Sequence, residues 1–133
     1  MKKLKIGLTG YGKMGKIREK SFLSSDEVSL VSIFDLKYNE DREDVTVYDS
    51  FEKLLDADID AVFISSYVSS NAEYTIRALE AGKHVFCEKP PAMNSQQMDE
   101  LVDLLVTRVR ARLGGNAPGT SSDEALFKVQ YAE

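Results

Sequence analysis

Short apolar runs alternate with helical patterns along most of this chain, and that alternation restricts the folds it can adopt. The runs are rich in branched side chains, as buried strands are. They are Leu4–Thr9, Val28–Phe34, Val45–Tyr48, Ala61–Ile64 and His84–Cys87. Because helical patterns separate most of them, the order predicts a doubly wound α/β fold with a mainly parallel sheet that is covered on both faces.

Capping residues indicate where the helices begin. The first helix is predicted over about residues 13–24, and Ser50 caps the second. A capping box formed by Ser70 and Glu73 opens the third. Asn94 opens the fourth, which is the longest. Each helix therefore has a local start signal between two of the apolar runs or after the last of them.

The pattern changes at Gly114. The segment GGNAPGTSSDE is typical of a linker, and ALFKVQY after it alternates like a strand with one exposed face. A chain of 133 residues is long enough for one domain and too short for a second complete one. We predict a domain over residues 1–113. Residues 114–133 are predicted to form a linker-like loop and a last strand, either the start of a missing second domain or a C-terminal edge strand.

Composition excludes several classes of protein. Apolar residues make up 43% and charged residues 29% of the chain, which indicates a globular protein. No apolar run has the length of a membrane span or the form of a signal peptide, so we expect a cytoplasmic protein without a membrane partner. The formal net charge of -5 argues against nucleic acid. With Cys87 and His84 as the single residues of their types, no metal site is expected.

A glycine-rich turn carries the clearest functional signal. It follows the first strand, opens the first helix, and consists of Gly10, Tyr11, Gly12, Lys13, Met14 and Gly15 (GYGKMG). In such a turn the first glycine permits a tight bend, the second lets a pyrophosphate approach the backbone, and the third allows close helix packing. The turn predicts a dinucleotide site, although glycines also occur in such turns for conformational reasons alone.

The end of the second strand bears on the choice of cofactor. Asp35 stands 20 residues after Gly15, where a carboxylate can accept hydrogen bonds from the adenosine ribose hydroxyls and repel a 2′-phosphate. NAD is therefore the predicted cofactor. Lys37 is close enough in sequence to neutralise such a phosphate, so NADP stays open. The other interpretation of Asp35 is a carboxylate that only caps a turn.

Polar side chains also follow the fourth and fifth strands, at the edge where open parallel sheets bind ligands. Those after the fourth strand are Ser65, Ser66, Tyr67 and Asn71, and those after the fifth are Glu88 and Lys89 in the run VFCEKPP. The two prolines of that run end the strand. We predict that all of these side chains lie beside the cofactor.

Longer segments resemble the N-terminal, nucleotide-binding half of the Gfo/Idh/MocA oxidoreductases, the family of glucose-fructose oxidoreductase and inositol dehydrogenase. The matching segments are GYGKMG, DIDAVFIS, AEYTIRALEAGKHVFCEKP and PAMNSQQMDEL. The run ALEAGKHVFCEKP is the most specific of them. The resemblance covers about residues 1–105 and implies a Rossmann fold that binds NAD or NADP.

The resemblance also implies an enzyme that transfers hydride between the nicotinamide and a hydroxyl of a sugar, cyclitol or nucleotide-sugar. Lys89 matches the family's catalytic lysine and Glu88 its acidic neighbour. At that position an ammonium hydrogen-bonds the alcohol oxygen and favours its alkoxide as hydride leaves. We expect the family's α+β substrate domain, which usually supplies the interface of its homo-oligomers, to be absent, so that this chain alone is inactive.

Two departures and one alternative accompany the resemblance. Where the family usually has a Thr-Pro pair after the fourth strand and a histidine in the next helix, this chain has Ser66-Tyr67 and Asn71. The alternative function is a non-catalytic module that senses NAD(H) or coenzyme A. The short chain favours the module, whereas the intact CEKP run favours the enzyme.

Overall fold

The protein is described here by a computed structural model covering residues 2–112. Its elements are β1 (Leu4–Thr9), α1 (Lys13–Leu23), β2 (Val28–Phe34), β3 (Thr46–Tyr48), α2 (Phe51–Asp56), β4 (Ala61–Ile64), α3 (Val68–Glu80), β5 (His84–Cys87) and α4 (Ser95–Arg112). Four of the five predicted strands have these bounds, and β3 begins one residue later than predicted. The chain forms two compact units, divided between Met93 and Asn94.

The first unit contains a sheet whose strands are all parallel, in the order β3-β2-β1-β4-β5. The winding reverses between β1 and β4, because the chain moves outward on one side of β1 and then returns to its other side. In such sheets the crevice at the carboxyl ends of the two central strands is the usual ligand site. The predicted doubly wound Rossmann fold is confirmed.

Apolar side chains pack on both faces of this sheet, because successive residues of a strand point to opposite sides. One face carries the buried cluster Phe34, Phe51, Leu54, Ile59, Val62, Ile64 and Ala78. The other carries Leu8, Ile33 and Val45, with half-buried Leu30, Val47 and Phe63 against them. On that second face Phe22 of α1 meets Phe63 edge-on, with ring centroids 4.9 Å apart. Helices α2 and α3 therefore cover one face and α1 the other.

The start of α3 differs from the prediction. The helix begins at Val68, and Tyr67 is its N-cap residue without a side-chain hydrogen bond. The amides of Ser70 and Asn71 already donate to the Tyr67 carbonyl, at 2.9 and 3.1 Å. The predicted capping box at Ser70 is therefore wrong, because the backbone closes the first helical turn before that residue. Asn71, predicted near the start of this helix, lies inside it and is buried.

The caps of α2 and α4 agree with the sequence. Ser50 Oγ accepts from the Lys53 amide at 3.2 Å at the start of α2. In the second unit, Asn94 Oδ1 accepts from the Gln97 amide at 2.9 Å at the start of α4. The predicted helix stop at Gly114, the linker and the last strand lie outside the described residues. The domain boundary predicted after residue 113 stays a prediction.

The connection between β2 and β3 contains no helix. Residues 35–45 join two neighbouring parallel strands directly, whereas a crossover of a dozen or more residues, usually a helix, is the rule. Asp35 and Tyr38 form a bridge that closes a turn at its start. At its end, Val45 is buried against Leu8 and Ile33 rather than in the strand. The middle of the connection must be held by side-chain contacts.

Candidate functional site

A cleft of about 280 Å³ lies at the carboxyl ends of β1, β2 and β4. Residues predicted from the sequence line much of it, namely Gly10, Gly12, Lys13, Met14, Asp35, Lys37, Ser65, Ser66 and Tyr67. It is also lined by residues that the sequence analysis missed, namely Phe34, Leu36, Ser70 and Tyr74. The cleft thus joins the glycine turn to the end of β2, as a dinucleotide site requires.

The glycines of the turn differ in what requires them. Gly10 has a φ of 91°, and a Cβ there would stand 2.5 Å from the Ser65 carbonyl oxygen. A Cβ at Gly15 would overlap the Gly10 carbonyl oxygen and stand 3.0 Å from its carbonyl carbon. At Gly12 a Cβ would meet nothing within 4 Å. The fold therefore needs glycine at the first and third positions, while the second leaves the backbone open to a ligand.

The N-terminus of α1 fits an anion at that opening. Gly12 is the N-cap residue, no side chain caps the helix, and no acid stands in its first turn. The first amides of a helix point out of its end and carry the positive end of its dipole. Lys13 and Lys37 bring two ammonium groups to the same cleft. These residues fit the pyrophosphate of a dinucleotide.

Asp35 is held at the cleft wall by two backbone amides. Its Oδ2 accepts from the Tyr11 amide and its Oδ1 from the Lys37 amide, both at 2.7 Å. Each carboxylate oxygen keeps a further lone pair for a ribose hydroxyl. The carboxylate therefore caps the turn after β2 and also lines the cleft, so the two interpretations drawn from the sequence describe the same side chain.

Tyr11 does not line the cleft, and its side chain enters a group of polar residues that we term the Arg42 cluster: Tyr11, Glu19, Arg42 and Asp44. The Tyr11 hydroxyl donates to Glu19, and Arg42 Nη1 donates to that hydroxyl at 3.2 Å. Arg42 also binds Glu19 at 2.7 Å and forks onto Asp44 at 3.0 and 2.6 Å. Burial, followed by the hydrogen bond to Glu19, raises the pKa of Tyr11 to about 12.

Glu88 and Lys89 follow β5, beside the end of β4. The Glu88 amide donates to the Ile64 carbonyl at 2.8 Å, and the Glu88 carboxylate forms an ion pair with Arg18 of α1. The Arg18 guanidinium lies 5.3 Å from the centroid of the Phe86 ring. Neither Glu88 nor Lys89 lines the cleft. The sequence analysis missed Arg18, since nothing in the spacing of α1 identifies a partner after β5.

Asn71 lies behind the segment that carries Lys89. Its side-chain amide donates to the Pro90 carbonyl at 3.3 Å, and the Lys89–Pro90 peptide bond is cis. Asn71 is 2% exposed, and its Oδ1 has no partner among the described residues. Gly15 and Asn71 do not line the cleft. Asn71 therefore contacts the EKPP backbone, and the structure does not bring it to the cofactor cleft.

The remaining candidate side chains lie away from the cleft. His84 is exposed at the first position of β5, which is the opposite end of that strand from Glu88. Cys87 is half-buried, and burial raises the pKa of its thiol, which disfavours the nucleophilic thiolate. Within residues 2–112, no three metal-binding side chains come together. No helix in this part of the chain is long and apolar enough to cross a membrane.

Comparison with known proteins gives the chain a family. Residues 4–112 match the GFO_IDH_MocA family, described as an oxidoreductase family with an NAD-binding Rossmann fold. This chain belongs to that family. The resemblance drawn from the sequence and the predicted NAD-binding fold are both confirmed.

Named relatives include two inositol dehydrogenases. The chain is 30% identical over 107 residues to myo-inositol 2-dehydrogenase of Thermotoga maritima, covering 75% of this chain and 32% of the relative. It is 34% identical over 138 residues to inositol 2-dehydrogenase of Klebsiella pneumoniae, covering 95% of this chain and 41% of the relative. The chain thus spans well under half the length of these relatives.

A solved structure of similar fold contains the cofactor. Scyllo-inositol dehydrogenase of Lactobacillus casei, with bound NAD(H) and scyllo-inositol, superposes with a TM-score of 0.74 at 29% identity. The superposition covers 82% of this chain and 34% of that one. The match therefore covers about a third of that protein.

Proposed function

We propose that this family member is the NAD(H)-binding part of a dehydrogenase that moves hydride between the nicotinamide and a hydroxyl of a cyclitol or sugar. The observation that carries the proposal is the cleft itself. It joins an unobstructed backbone at Gly12 to the Asp35 carboxylate, which two amides hold in place. A turn that served folding alone would need glycine at Gly10 and Gly15 but not at Gly12.

The cleft residues divide the work of holding the cofactor. The Gly12 backbone and the N-terminus of α1 bind the pyrophosphate, and Asp35 accepts hydrogen bonds from the adenosine ribose hydroxyls. Leu36, which is 75% exposed, offers an apolar surface beside that ribose. Ser65, Ser66 and Tyr67 follow β4 and lie toward the nicotinamide half. When bound, the nicotinamide supplies the hydride acceptor or donor.

Lys89 is proposed to exchange the proton of the substrate hydroxyl, as the general acid–base group. It follows β5, which pairs in register with β4 through Ile64 and Cys87, so its backbone lies next to the end of β4, where Ser65, Ser66 and Tyr67 line the cleft. An ammonium there donates to the substrate hydroxyl oxygen and stabilises the negative charge that grows as hydride leaves. Glu88, bound to Arg18, and Asn71, bound to Pro90, support the backbone on either side of Lys89.

A cyclitol or sugar is the proposed substrate class because the named relatives are inositol dehydrogenases. The proposal concerns the whole protein, of which this chain would supply the cofactor side. A cytoplasmic location belongs to the same proposal.

A chimera tests this function. Residues 4–112 would replace the corresponding segment of the Thermotoga maritima myo-inositol 2-dehydrogenase, and the formation of NADH from NAD and myo-inositol would be followed by absorbance. We expect turnover. Lys89→Ala should lower kcat by about 100-fold or more, the contribution of a general acid–base group, while the Kd for NADH stays unchanged.

The matched control is Lys20→Ala, which removes an exposed lysine in the last turn of α1 and should leave kcat unchanged. A folded chimera that binds NADH without turnover would favour the non-catalytic module over the enzyme. If Lys89→Ala keeps full kcat, the role given to Lys89 is wrong even though the enzyme stands.

A further inference from the structure

The Arg42 cluster links three parts of the first unit that are distant in sequence. Tyr11 belongs to the glycine turn, Glu19 to α1, and Arg42 and Asp44 to the connection between β2 and β3. The side chains of Arg42 and Glu19 are only 20% and 12% exposed. A charged pair this well shielded, which joins the connection to α1, is more than a solvated surface contact.

The cluster holds a connection that contains no crossover helix. Residues 35–45 run from β2 to β3 without a helix. Within this connection, Arg42 binds Glu19 of α1 and also Asp44 of the connection itself. The Tyr11 and Tyr38 rings add an apolar contact, with centroids 4.4 Å apart. Arg42 is therefore the residue through which the connection is tied to the glycine turn and to α1.

Both donors that hold Asp35 come from the segments tied in this way. The Tyr11 amide belongs to the residue whose hydroxyl binds Arg42, and the Lys37 amide belongs to the connection itself. The Tyr38 amide donates to the Asp35 carbonyl at 3.4 Å and closes the same turn. The position of the Asp35 carboxylate thus depends on contacts that Arg42 secures on the side away from the cleft.

That position matters because the cleft also holds cations. Lys13 and Lys37 line it together with Asp35, which is the one acid among the lining residues in the described part of the chain. Two ammonium groups would attract the extra phosphate of NADP, and a carboxylate fixed in the same cleft opposes it. Discrimination between the two cofactors therefore rests on whether Asp35 is kept in place.

We propose that Arg42 is a positioning residue that sets the preference for NAD over NADP, by anchoring the β2–β3 connection and the glycine turn so that Asp35 stays directed at the ribose. The inference rests on the proposed cofactor binding. Arg42 acts through Asp35 and touches no cofactor.

The test compares two arginine substitutions of the same chemical kind in the full chain. Arg42→Met keeps the apolar stem and removes the guanidinium, and Arg77→Met does the same at an ion pair with Glu52 between α3 and α2, away from the cleft. Kd values for NADH and NADPH would be measured by calorimetry for each. We expect the Kd ratio of NADPH to NADH to fall about tenfold in Arg42→Met, as when one charge-assisted hydrogen bond is lost, and to stay unchanged in Arg77→Met.

Two further variants separate positioning from general loosening. Asp44→Asn removes one anion from Arg42 at a largely exposed site, and it should shift the ratio in the same direction with little change in the melting temperature. In an Asp35→Asn background the ratio is already low, and Arg42→Met should lower it no further.

The possible outcomes separate the proposed role of Arg42 from the proposed cofactor binding. If the unsubstituted chain binds neither nucleotide, the proposed cofactor function fails. If it prefers NADH and Arg42→Met keeps that preference, the inference fails while the function stands. If Arg42→Met lowers the affinity for NADPH more than for NADH, Arg42 itself meets the phosphate and the positioning role is wrong. An additive effect of Asp35→Asn and Arg42→Met would also overturn it.

Discussion

Replacing Gly12 and Gly15 each by alanine should separate binding from folding, although the two residues are three positions apart in one motif. A methyl group at Gly12 meets open space, whereas at Gly15 it overlaps the Gly10 carbonyl. A backbone carbonyl in the turn cannot move aside as a flexible side chain can, because Gly10 is itself bonded to Phe34 through its amide at 2.8 Å.

The expected magnitudes follow from these contacts. Gly15→Ala overpacks a rigid site, which costs about 2–3 kcal/mol, and for a domain of this size each kcal/mol lowers the melting temperature by about 4–8 °C. Gly12→Ala costs less than about 1 kcal/mol, the difference between glycine and alanine as an N-cap residue. Its methyl group displaces the pyrophosphate from at least one amide, and a charged hydrogen bond of about 1.5–3 kcal/mol corresponds to a 10-fold to 100-fold rise in the Kd for NADH.

Thermal melts by circular dichroism and NADH titrations by calorimetry measure both quantities on the same samples. Gly12→Ala should melt close to the unsubstituted chain and bind NADH weakly, and Gly15→Ala should melt well below it. Full NADH affinity in Gly12→Ala would show that the open backbone at Gly12 has no role in binding. Equal melting temperatures for the two variants would refute the steric argument.

Three further outcomes are expected. Asn71→Asp should destabilise the chain by roughly 2–4 kcal/mol at neutral pH, because it buries a charge against the Pro90 carbonyl; urea titrations should show the deficit shrinking as the pH falls and the acid regains a proton to donate. Arg18→Met should lower stability by about 1–2 kcal/mol in the same assay, since Glu88 is only 15% exposed and loses its partner; an unchanged midpoint would show that the ion pair is not stabilising. Folding raises the pKa of Tyr11 from 10.0 to about 12. The stability that the protonated Tyr11 hydroxyl contributes is therefore complete below pH 10.0 and is lost as the pH rises toward 12. Tyr11→Phe should remove this loss of stability when melting temperatures are measured against pH.

The fold and half of the site could be predicted because local signals specify them. Apolar runs of strand length set β1, β2, β4 and β5, and Ser50 and Asn94 cap helices by contacts three residues away. The glycine turn could likewise be predicted, since the need for glycine in it is conformational and its six residues are consecutive in the sequence. The start of α3 could not be predicted, because the Tyr67 carbonyl accepts the first helical hydrogen bonds before the Ser70 side chain could cap the helix.

The rest of the site depends on contacts between segments far apart in sequence. Arg18 meets Glu88 and Arg42 meets Glu19 only after the sheet has formed, and arginine is too common in sequences for either pair to be recognised beforehand. Asn71 is a further example, because its hydrogen bond to the Pro90 carbonyl could not be foreseen from the family pattern that placed it beside the cofactor.

The most direct test of the account is an NMR titration of the isotope-labelled chain with NADH. We expect saturable shifts in the backbone amides of Gly10, Gly12, Asp35 and Ser65, with little change at His84 on the opposite end of the sheet. Absence of shifts at saturating NADH, or shifts confined to residues outside the cleft, would contradict the claim that this cleft binds the cofactor.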